Sequence, residues 1–299
     1  MTRALAIVLC FFTTVAAHSE PDPHAPNNPN TSHRIMSFNI RLGSANDGPD
    51  RWEVRRDKVF DTIRDLNADV VGLQEAEPFQ VRELLAALPR YAAAGVHRDD
   101  GLLQGEAATI LYDRARYTLA ATDTFWLSGT PDVAGSNTWG AACNRTCTWV
   151  RLLDLETGEA FFVFNTHFDH QSQPAREKSA TLIVEQIAAR TPTDPFVVTG
   201  DLNAAEDTAV VRTLKNGADD WQLTDTYRAH HPHNPHNPDS PAGTFTGFDL
   251  DNDGGDRKID YVLTGPGWTV DNADIDRRKI DGRYPSDHFP IWADLTIEP

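Results

Sequence analysis

Acids, amides and histidines follow several apolar runs of this 299-residue chain at the points where the runs end. The segment YPSDHFPIW (284–292) carries Asp287 and His288 side by side before a terminal apolar run. Neighbouring side chains of an extended chain point to opposite sides, so this acid and this imidazole must serve two different partners. The other polar residues at the ends of apolar runs are Asn39, Glu75, His167, Asp201, Asn203 and Asp260.

These residue types suit a hard cation. Asn39, Glu75 and Asp287 offer only oxygen ligands, which favours Mg²⁺, Mn²⁺ or Ca²⁺, and the sequence has no thiolate cluster that would recruit zinc. Each acid alone is more commonly a cap or a surface residue. Polar groups that follow strands converge at one edge of a sheet, where α/β architectures place their ligand sites. We therefore expect one shared site.

The elements that must position these residues are visible in the hydrophobic pattern. Val59, Phe60, Ile63 and Leu66 lie on one face of a helix, and Pro174 opens another. Strands are predicted at 34–40, 69–75, 108–113, 117–127, 148–155, 160–168, 196–201, 259–264 and 289–297, and helices at 55–66, 80–88, 174–190 and 206–215. Helices separate only some of the strands. This favours an α/β (α+β) fold in which two mixed β-sheets pack together between outer helices.

Six short segments then indicate a family. They are SFNI (37–40), GLQE (72–75), NTHFDH (165–170), TGDLN (199–203), KIDYV (258–262) and SDHFP (286–290). In this order, over about residues 34–297, the chain resembles the endonuclease/exonuclease/phosphatase superfamily. That superfamily includes DNase I-like nucleases, apurinic endonucleases, neutral sphingomyelinases, inositol polyphosphate 5-phosphatases and deadenylases. The resemblance implies a four-layered DNase I-like sandwich.

The resemblance also implies roles for individual residues. Glu75 would be the principal metal ligand, within a set that comprises Asn39, Glu75, Asp201, Asn203, Asp287 and His288. Asp201 and Asn203 would position the attacking water and contact the phosphate, His167 would bind the scissile phosphate, and Asp260 would orient His288 as an acid–histidine dyad. Mg²⁺ or Mn²⁺ is the expected cofactor. Whether Asp201 or His288 takes the proton of the water stays open.

The predicted function is a divalent-metal-dependent phosphoester hydrolase, of the phosphodiesterase or endonuclease type, acting by in-line attack of water. A lipid or small-molecule phosphodiesterase or phosphatase is the alternative, and an inactive calcium-binding extracellular module is an alternative of another class. A net charge of −17 disfavours broad clamping of nucleic acid, so no stable nucleic-acid scaffold is expected. A monomer is expected.

The first residues indicate export. Residues 1–17 have one Arg, an apolar run and terminal small residues, which is the order of a signal peptide and too short for a transmembrane segment. Residues 18–32 are rich in Pro and Asn, which predicts a flexible lead-in to a domain at 33–299. Export would favour a disulfide between Cys143 and Cys147, with two separate thiols as the alternative.

Three weaker signals remain. Asp249, Asp251 and Asp253 alternate before Gly254 as in a calcium loop, so a Ca²⁺ ion and a plain acidic turn are both open. Glu106 is a candidate for orienting His167, with a surface acid as the equal alternative. The remaining candidates, each with a structural alternative, are Arg41 as a phosphate contact, the tryptophans 126, 139 and 149 as an aromatic face, and the His-rich loop 230–241 as a metal site.

Overall fold

The computed structural model describes residues 31–218, 220–232, 242–255 and 257–298. The signal peptide and most of the lead-in predicted from the sequence, and most of the His-rich loop, lie outside these ranges. The strands are β1 (Ser32–Asn39), β2 (Val70–Gln74), β3 (Tyr91–Ala94), β4 (Ile110–Asp113), β5 (Tyr117–Trp126), β6 (Thr146–Asp154), β7 (Ala160–His167), β8 (Phe196–Asp201), β9 (Thr224–Asp225), β10 (Asp260–Thr264), β11 (Trp268–Ile275) and β12 (Ile291–Ile297). The helices are α1 (Trp52–Leu66), α2 (Pro78–Ala87), α3 (Gln173–Ala188), α4 (Ala209–Asn216) and α5 (Thr226–His230).

The strands form two mixed sheets of six strands each, which confirms the predicted architecture. The strand order is β11-β12-β1-β2-β4-β3 in the first sheet and β5-β6-β7-β8-β10-β9 in the second. Each sheet contains one parallel pair, β1 with β2 and β7 with β8, among antiparallel neighbours.

Three apolar layers hold the sandwich together. The central layer lies between the sheets and includes Ile35, Val163 and Val197. Met36 and Phe38 of β1 face the other way, into a cluster with apolar side chains of α1 and α2. A third cluster packs α3 and α4 on the outer face of the second sheet. Strands buried on both faces explain why the sequence shows continuous apolar runs rather than alternation.

The strand register brings the polar residues to one end of the sandwich. Asn39 pairs with Gln74 at the end of the parallel pair β1–β2, and His167 pairs with Asp201 at the end of β7–β8. β10 is antiparallel to β8, so its first residue, Asp260, also pairs with Asp201. The convergence predicted from the sequence is therefore present.

Sequence patterns missed three strands and one helix. β3 is YAAA, β9 has two residues, and β11 carries exposed polar side chains, so none of them shows a buried apolar run; α5 spans only five residues. β3, β9 and β11 are edge strands, where one side of the strand lacks a partner and composition is less constrained. Among the described residues, no helix is long and apolar enough to cross a membrane.

Candidate active site

A buried acid–histidine pair lies at the converged end of the second sheet. The Nδ1 of His288 lies 2.9 Å from Oδ2 of Asp260, a wholly buried carboxylate. Because a carboxylate only accepts, Nδ1 carries a proton, and Nε2 lies 3.7 Å from Oδ2 of Asp201. Burial lowers the pKa of His288, but the charges of Asp260 and Asp201 outweigh burial and raise this pKa well above its ordinary value.

Asp201 is the point where the polar groups meet. Its Oδ1 accepts the backbone N–H of Asn203 at 2.8 Å, and its Oδ2 accepts the side-chain amide of Asn39 at 3.0 Å. Nε2 of His167 lies 3.4 Å from the same Oδ2. Burial and the nearby charge of Asp260 raise the pKa of Asp201 to about 7. A carboxyl group of this kind can hold or release a proton near neutral pH.

His167 is fixed by Asn203 in a defined tautomer. Nδ2 of Asn203 lies 3.1 Å from the carbonyl oxygen of Phe168, which identifies this atom as the amide nitrogen. The same nitrogen lies 3.1 Å from Nε2 of His167, so Nε2 accepts and Nδ1 carries the proton. Burial and the charge of Arg145 hold the pKa of His167 well below its ordinary value. His167 is therefore a neutral imidazole whose buried Nδ1–H has no partner among the described residues.

Glu75 and Asp287 face each other across the guanidinium of Arg41. Oε2 of Glu75 and Oδ2 of Asp287 each lie 3.8 Å from a nitrogen of Arg41, which also pairs with Asp47 at 3.1 Å. Asn39 donates to Oε1 of Glu75 at 3.1 Å, while its own oxygen accepts the backbone N–H of Arg41. Asn39 thus links the carboxylates of Glu75 and Asp201.

The donor set fits a hard divalent cation. Four carboxylates, those of Glu75, Asp201, Asp260 and Asp287, are gathered at one buried edge. Burial raises the pKa of Asp287, with a further contribution from Glu75, so negative charge there is incompletely compensated. Oxygen donors with excess buried negative charge are what Mg²⁺ or Mn²⁺ would neutralise. Asp201, Asp260 and His288 also form a group whose ligand atoms all lie within 4.8 Å of one another.

A second layer of contacts holds these side chains in place. Arg55, which is 2% exposed, donates to the carbonyl oxygens of Ile40 at 2.6 Å, Arg41 at 2.8 Å and Pro285 at 3.2 Å. Ser286 donates to the carbonyl oxygen of Asn39 at 2.7 Å. These bonds join the end of β1 to the loop that carries Asp287.

A buried polar cluster between the sheets lies beneath the site. Oδ1 of Asn165 accepts from Gln74 at 2.7 Å and from Thr199 at 3.0 Å, and its amide donates to the carbonyl oxygen of Leu73 at 2.7 Å. It ties β2 of the first sheet to β7 and β8 of the second. Asn165 and Gln74 belong to the segments that carry the family resemblance, but the sequence did not identify them as site residues. A polar residue within each apolar run was the available signal.

The site opens into a cavity of about 420 Å³. It contains six of the eight residues predicted for the site, and the buried Asn39 and Asp260 lie behind its wall. Further lining residues that the sequence did not identify as site residues are Arg98, Cys143, Arg145, His170 and Phe245. The ring of Phe245 lies 5.0 Å from the ring of His288 and is 43% exposed, so it forms an apolar part of the mouth. A larger groove of about 760 Å³ beside α3 contains none of these eight residues, although Trp139 lines it.

Two of the weaker predictions are wrong in this structure. Glu106 does not contact His167, because both of its oxygens pair with Arg98 at 2.8 and 2.7 Å. Cys143 and Cys147 are both free thiols, because Cys147 is buried in the outer cluster of the second sheet while Cys143 lines the polar cavity.

The calcium loop and the tryptophan face also find no support in the structure. The carboxylates of Asp249, Asp251 and Asp253 do not form a ligand group among the described residues, and Asp249 and Asp253 instead accept backbone N–H groups two residues ahead. None of the three tryptophans lines the cavity. Trp126 donates to the carbonyl oxygen of Arg98, and Trp149 packs against Phe162.

A two-sheet sandwich with buried carboxylates and histidines at one end defines a DNase I-like phosphoester hydrolase. The chain belongs to the Endonuclease/Exonuclease/phosphatase family, whose sequence profile matches residues 36–288, and the resemblance seen in the sequence is confirmed.

Individual relatives agree with this assignment. The chain is similar to an endonuclease/exonuclease/phosphatase from Bacteroides vulgatus, with 33% identity, a TM-score of 0.80 and coverage of 90% of this chain and 100% of that one. It is similar to the mannosyl-6-phosphatase Bt3783 of Bacteroides thetaiotaomicron, with 28% identity, a TM-score of 0.78 and coverage of 89% and 100%. It is 25% identical to Drosophila melanogaster nocturnin over 89% of this chain, and spans 47% of that protein.

Proposed function

We propose that the protein is a divalent-metal-dependent hydrolase of small phosphate esters. The observation that carries this proposal is the meeting of Glu75, Asp201, Asp287 and His288 in one cavity that ends in buried carboxylates. Glu75 and Asp287 would hold Mg²⁺ or Mn²⁺, with Asn39 aligning Glu75. When bound, such an ion neutralises charge on the phosphoryl oxygens and lowers the pKa of bound water.

The side chains of the cavity supply the remaining steps. Nε2 of His288 and Oδ2 of Asp201 lie 3.7 Å apart, and either group in its unprotonated form can accept the proton of the attacking water. Asp260 holds the resulting imidazolium by the 2.9 Å contact to Nδ1. His167 and Asn203 lie beside Asp201, where the unpartnered Nδ1–H of His167 would donate to an oxygen of the phosphate while Asn203 holds the His167 ring.

Size and charge support a small substrate over a nucleic-acid strand. A cavity of about 420 Å³ matches the volume of sites for small molecules. A net charge of −17 repels a polyanion over most of the surface. The similarity to a mannosyl-6-phosphatase agrees with this choice. The endonuclease activity predicted from the sequence is the competing candidate.

One assay separates these candidates. Purified protein would be incubated with a hexose 6-phosphate, an aryl phosphodiester, single-stranded DNA and sphingomyelin, each with Mg²⁺, with Mn²⁺ and with EDTA. We expect metal-dependent turnover of the small esters and little cleavage of DNA. Preferred cleavage of DNA would favour the endonuclease, and the absence of metal-dependent turnover on every substrate would contradict the proposed function.

We also propose that the protein is exported as a monomer after removal of residues 1–17. The sequence of residues 1–17 supports this, because it has the order of a signal peptide. N-terminal sequencing of protein recovered from an exporting host, followed by light scattering, would test both points. An intact N-terminus on cell-retained protein would contradict export.

A further inference from the structure

Two arginines lie beside the phosphate-binding histidine, and they differ in how they are paired. A narrow recess of the cavity is lined by Glu75, Arg98, Glu106, Arg145 and His167. Arg98 is bound through two nitrogens to Glu106, at 2.8 and 2.7 Å. Arg145 has no such partner. A phosphate held between Glu75 and His167 would therefore lie next to a guanidinium that is not neutralised by a bidentate pair.

Arg145 is a buried cation with unused donors. Its side chain is 5% exposed, and its Nε and Nη1 have no hydrogen-bond partner among the described residues. Its Nη2 lies 3.0 Å from Nδ1 of His170, the one hydrogen bond that this guanidinium makes within the part of the chain that the structure describes. A buried guanidinium with free N–H groups is costly unless a ligand satisfies them.

The neighbouring carboxylate of Asp169 does not accept a hydrogen bond from Arg145. Oδ2 of Asp169 lies 3.7 Å from Nε of Arg145, which is beyond hydrogen-bond distance. The oxygens of Asp169 instead accept the backbone N–H groups of Ala142, Gln171 and Ser172 at 2.9, 3.0 and 2.7 Å. Asp169 therefore fixes the loops around Arg145 and leaves the guanidinium available.

We propose that Arg145 binds the third non-bridging oxygen of a terminal phosphate and makes the protein selective for phosphomonoesters. This inference rests on the proposed function. A diester has two non-bridging oxygens. One would lie at the cation site and the other at the His167–Asn203 pair. A monoester has a third such oxygen and a second negative charge near neutral pH. A planar guanidinium with free N–H groups is suited to that oxygen.

The reaction is hydrolysis of a phosphomonoester to an alcohol and inorganic phosphate. The oxygen of water forms a bond to phosphorus as the bond between phosphorus and the ester oxygen breaks. The proton that water loses to Asp201 or His288 is balanced by the proton that the leaving alkoxide gains. No oxidant or further co-reactant is needed.

The test compares two esters in matched variants. We would measure kcat/KM with Mg²⁺ on 4-nitrophenyl phosphate and on bis(4-nitrophenyl) phosphate for the wild type, Arg145→Gln and Arg145→Lys. The control is Arg151→Gln on β6, the strand that follows Arg145, where Arg151 pairs with Asp194 at 2.6 Å outside the cavity. Arg145→Gln should lower monoesterase activity by about 100-fold and diesterase activity by less than about fivefold.

A second readout does not depend on turnover. Inorganic phosphate should protect the wild type and Arg151→Gln against thermal unfolding, and Arg145→Gln should need at least about tenfold more phosphate for the same protection. If Arg145→Gln does not fold, Arg145→Lys carries the test, because a point charge without the planar fork should lose monoesterase selectivity while it spares the diester. Equal losses on both esters, or unchanged phosphate protection, would overturn the inference. A wild type that hydrolyses neither ester would instead refute the proposed function.

Discussion

The negative charge of Asp260 should stabilise the protonated ring of His288, which lies 2.9 Å away. In Asp260→Asn the amide oxygen can still accept from Nδ1 of His288, but the negative charge is lost. At 2.9 Å, opposite charges attract by about 6 kcal/mol at an effective dielectric constant of about 20. The loss of free energy in the variant is smaller than this Coulomb energy, because burial of the charges costs desolvation energy and the variant keeps a neutral hydrogen bond. A net charge-assisted contribution of about 1.5–3 kcal/mol predicts a loss of about 10- to 150-fold in kcat.

The assay is turnover of an aryl phosphoester at saturating Mg²⁺, with circular dichroism to confirm folding. If Asp260 acts only through His288, the double variant Asp260→Asn/His288→Ala should be as slow as His288→Ala alone. Asp294→Asn is the matched control, because Asp294 forms a two-point pair with Arg34 on the first sheet and should leave kcat within about twofold. Multiplicative losses in the double variant would refute the dyad.

Three further predictions concern the metal and stability. Glu75→Gln should raise the Mg²⁺ concentration for half-maximal rate by about 10- to 100-fold, measured by titration after EDTA treatment, and an unchanged midpoint would argue against its role as a ligand. His33 is buried, and burial together with the charge of Arg116 lowers its pKa from 6.5 to about 4. As pH falls, the unfolded chain binds this proton before the folded chain does. The free energy of unfolding therefore decreases as pH falls through 6.5, and about 1.4 kcal/mol of it is lost between pH 7.5 and 5.5. In His33→Gln, the free energy of unfolding measured with urea should not show this loss. An equal dependence of that free energy on pH in the wild type and the variant would count against the role of His33. Arg55→Met should lower the free energy of unfolding by about 3 kcal/mol in urea, because three carbonyl oxygens lose their donor. Arg56→Met, at a half-buried arginine next along the helix, should change this free energy by less than about 0.5 kcal/mol, and equal effects would contradict the role of Arg55.

The sequence predicted which polar residues would lie close together, because the ends of strands can be recognised in the hydrophobic pattern. Asn39, Glu75, His167 and Asp201 each follow an apolar run, and parallel pairing brings such ends together whatever the loops do. The contact between Asp260 and His288 is also present, although the catalytic roles of both residues stay predictions. The same reasoning failed for the edge strand β3, whose run of alanines has neither a strand nor a helix signature.

The sequence could not locate the rim of the cavity. Arg98 and Arg145 lie in or beside loops that the hydrophobic pattern does not describe, and Phe245 forms an isolated bridge with His288 just before a turn. Glu106 shows the difficulty, because its position before a strand fitted a residue that orients His167 and a surface acid equally well. Only the three-dimensional packing shows that it pairs with Arg98. Loops carry specificity because they are free to differ among proteins that share a scaffold, and that freedom removes the periodic signal.

Three residues in or beside the site have a left-handed backbone conformation. Arg41, Glu75 and Asn203 adopt φ values of +56°, +61° and +47°, which cost about 1 kcal/mol or more each for residues with a side chain. Site side chains stabilise the turns at two of these residues, Arg41 and Asn203. Asn39 accepts the N–H of Arg41, Glu75 accepts that of Leu42 and Asp201 accepts that of Asn203, all within 2.9 Å. Truncating one of these side chains to alanine would therefore release a strained turn as well as remove a chemical group. Isosteric changes such as Asp201→Asn separate the two effects, because an amide oxygen can still accept the N–H that holds the turn.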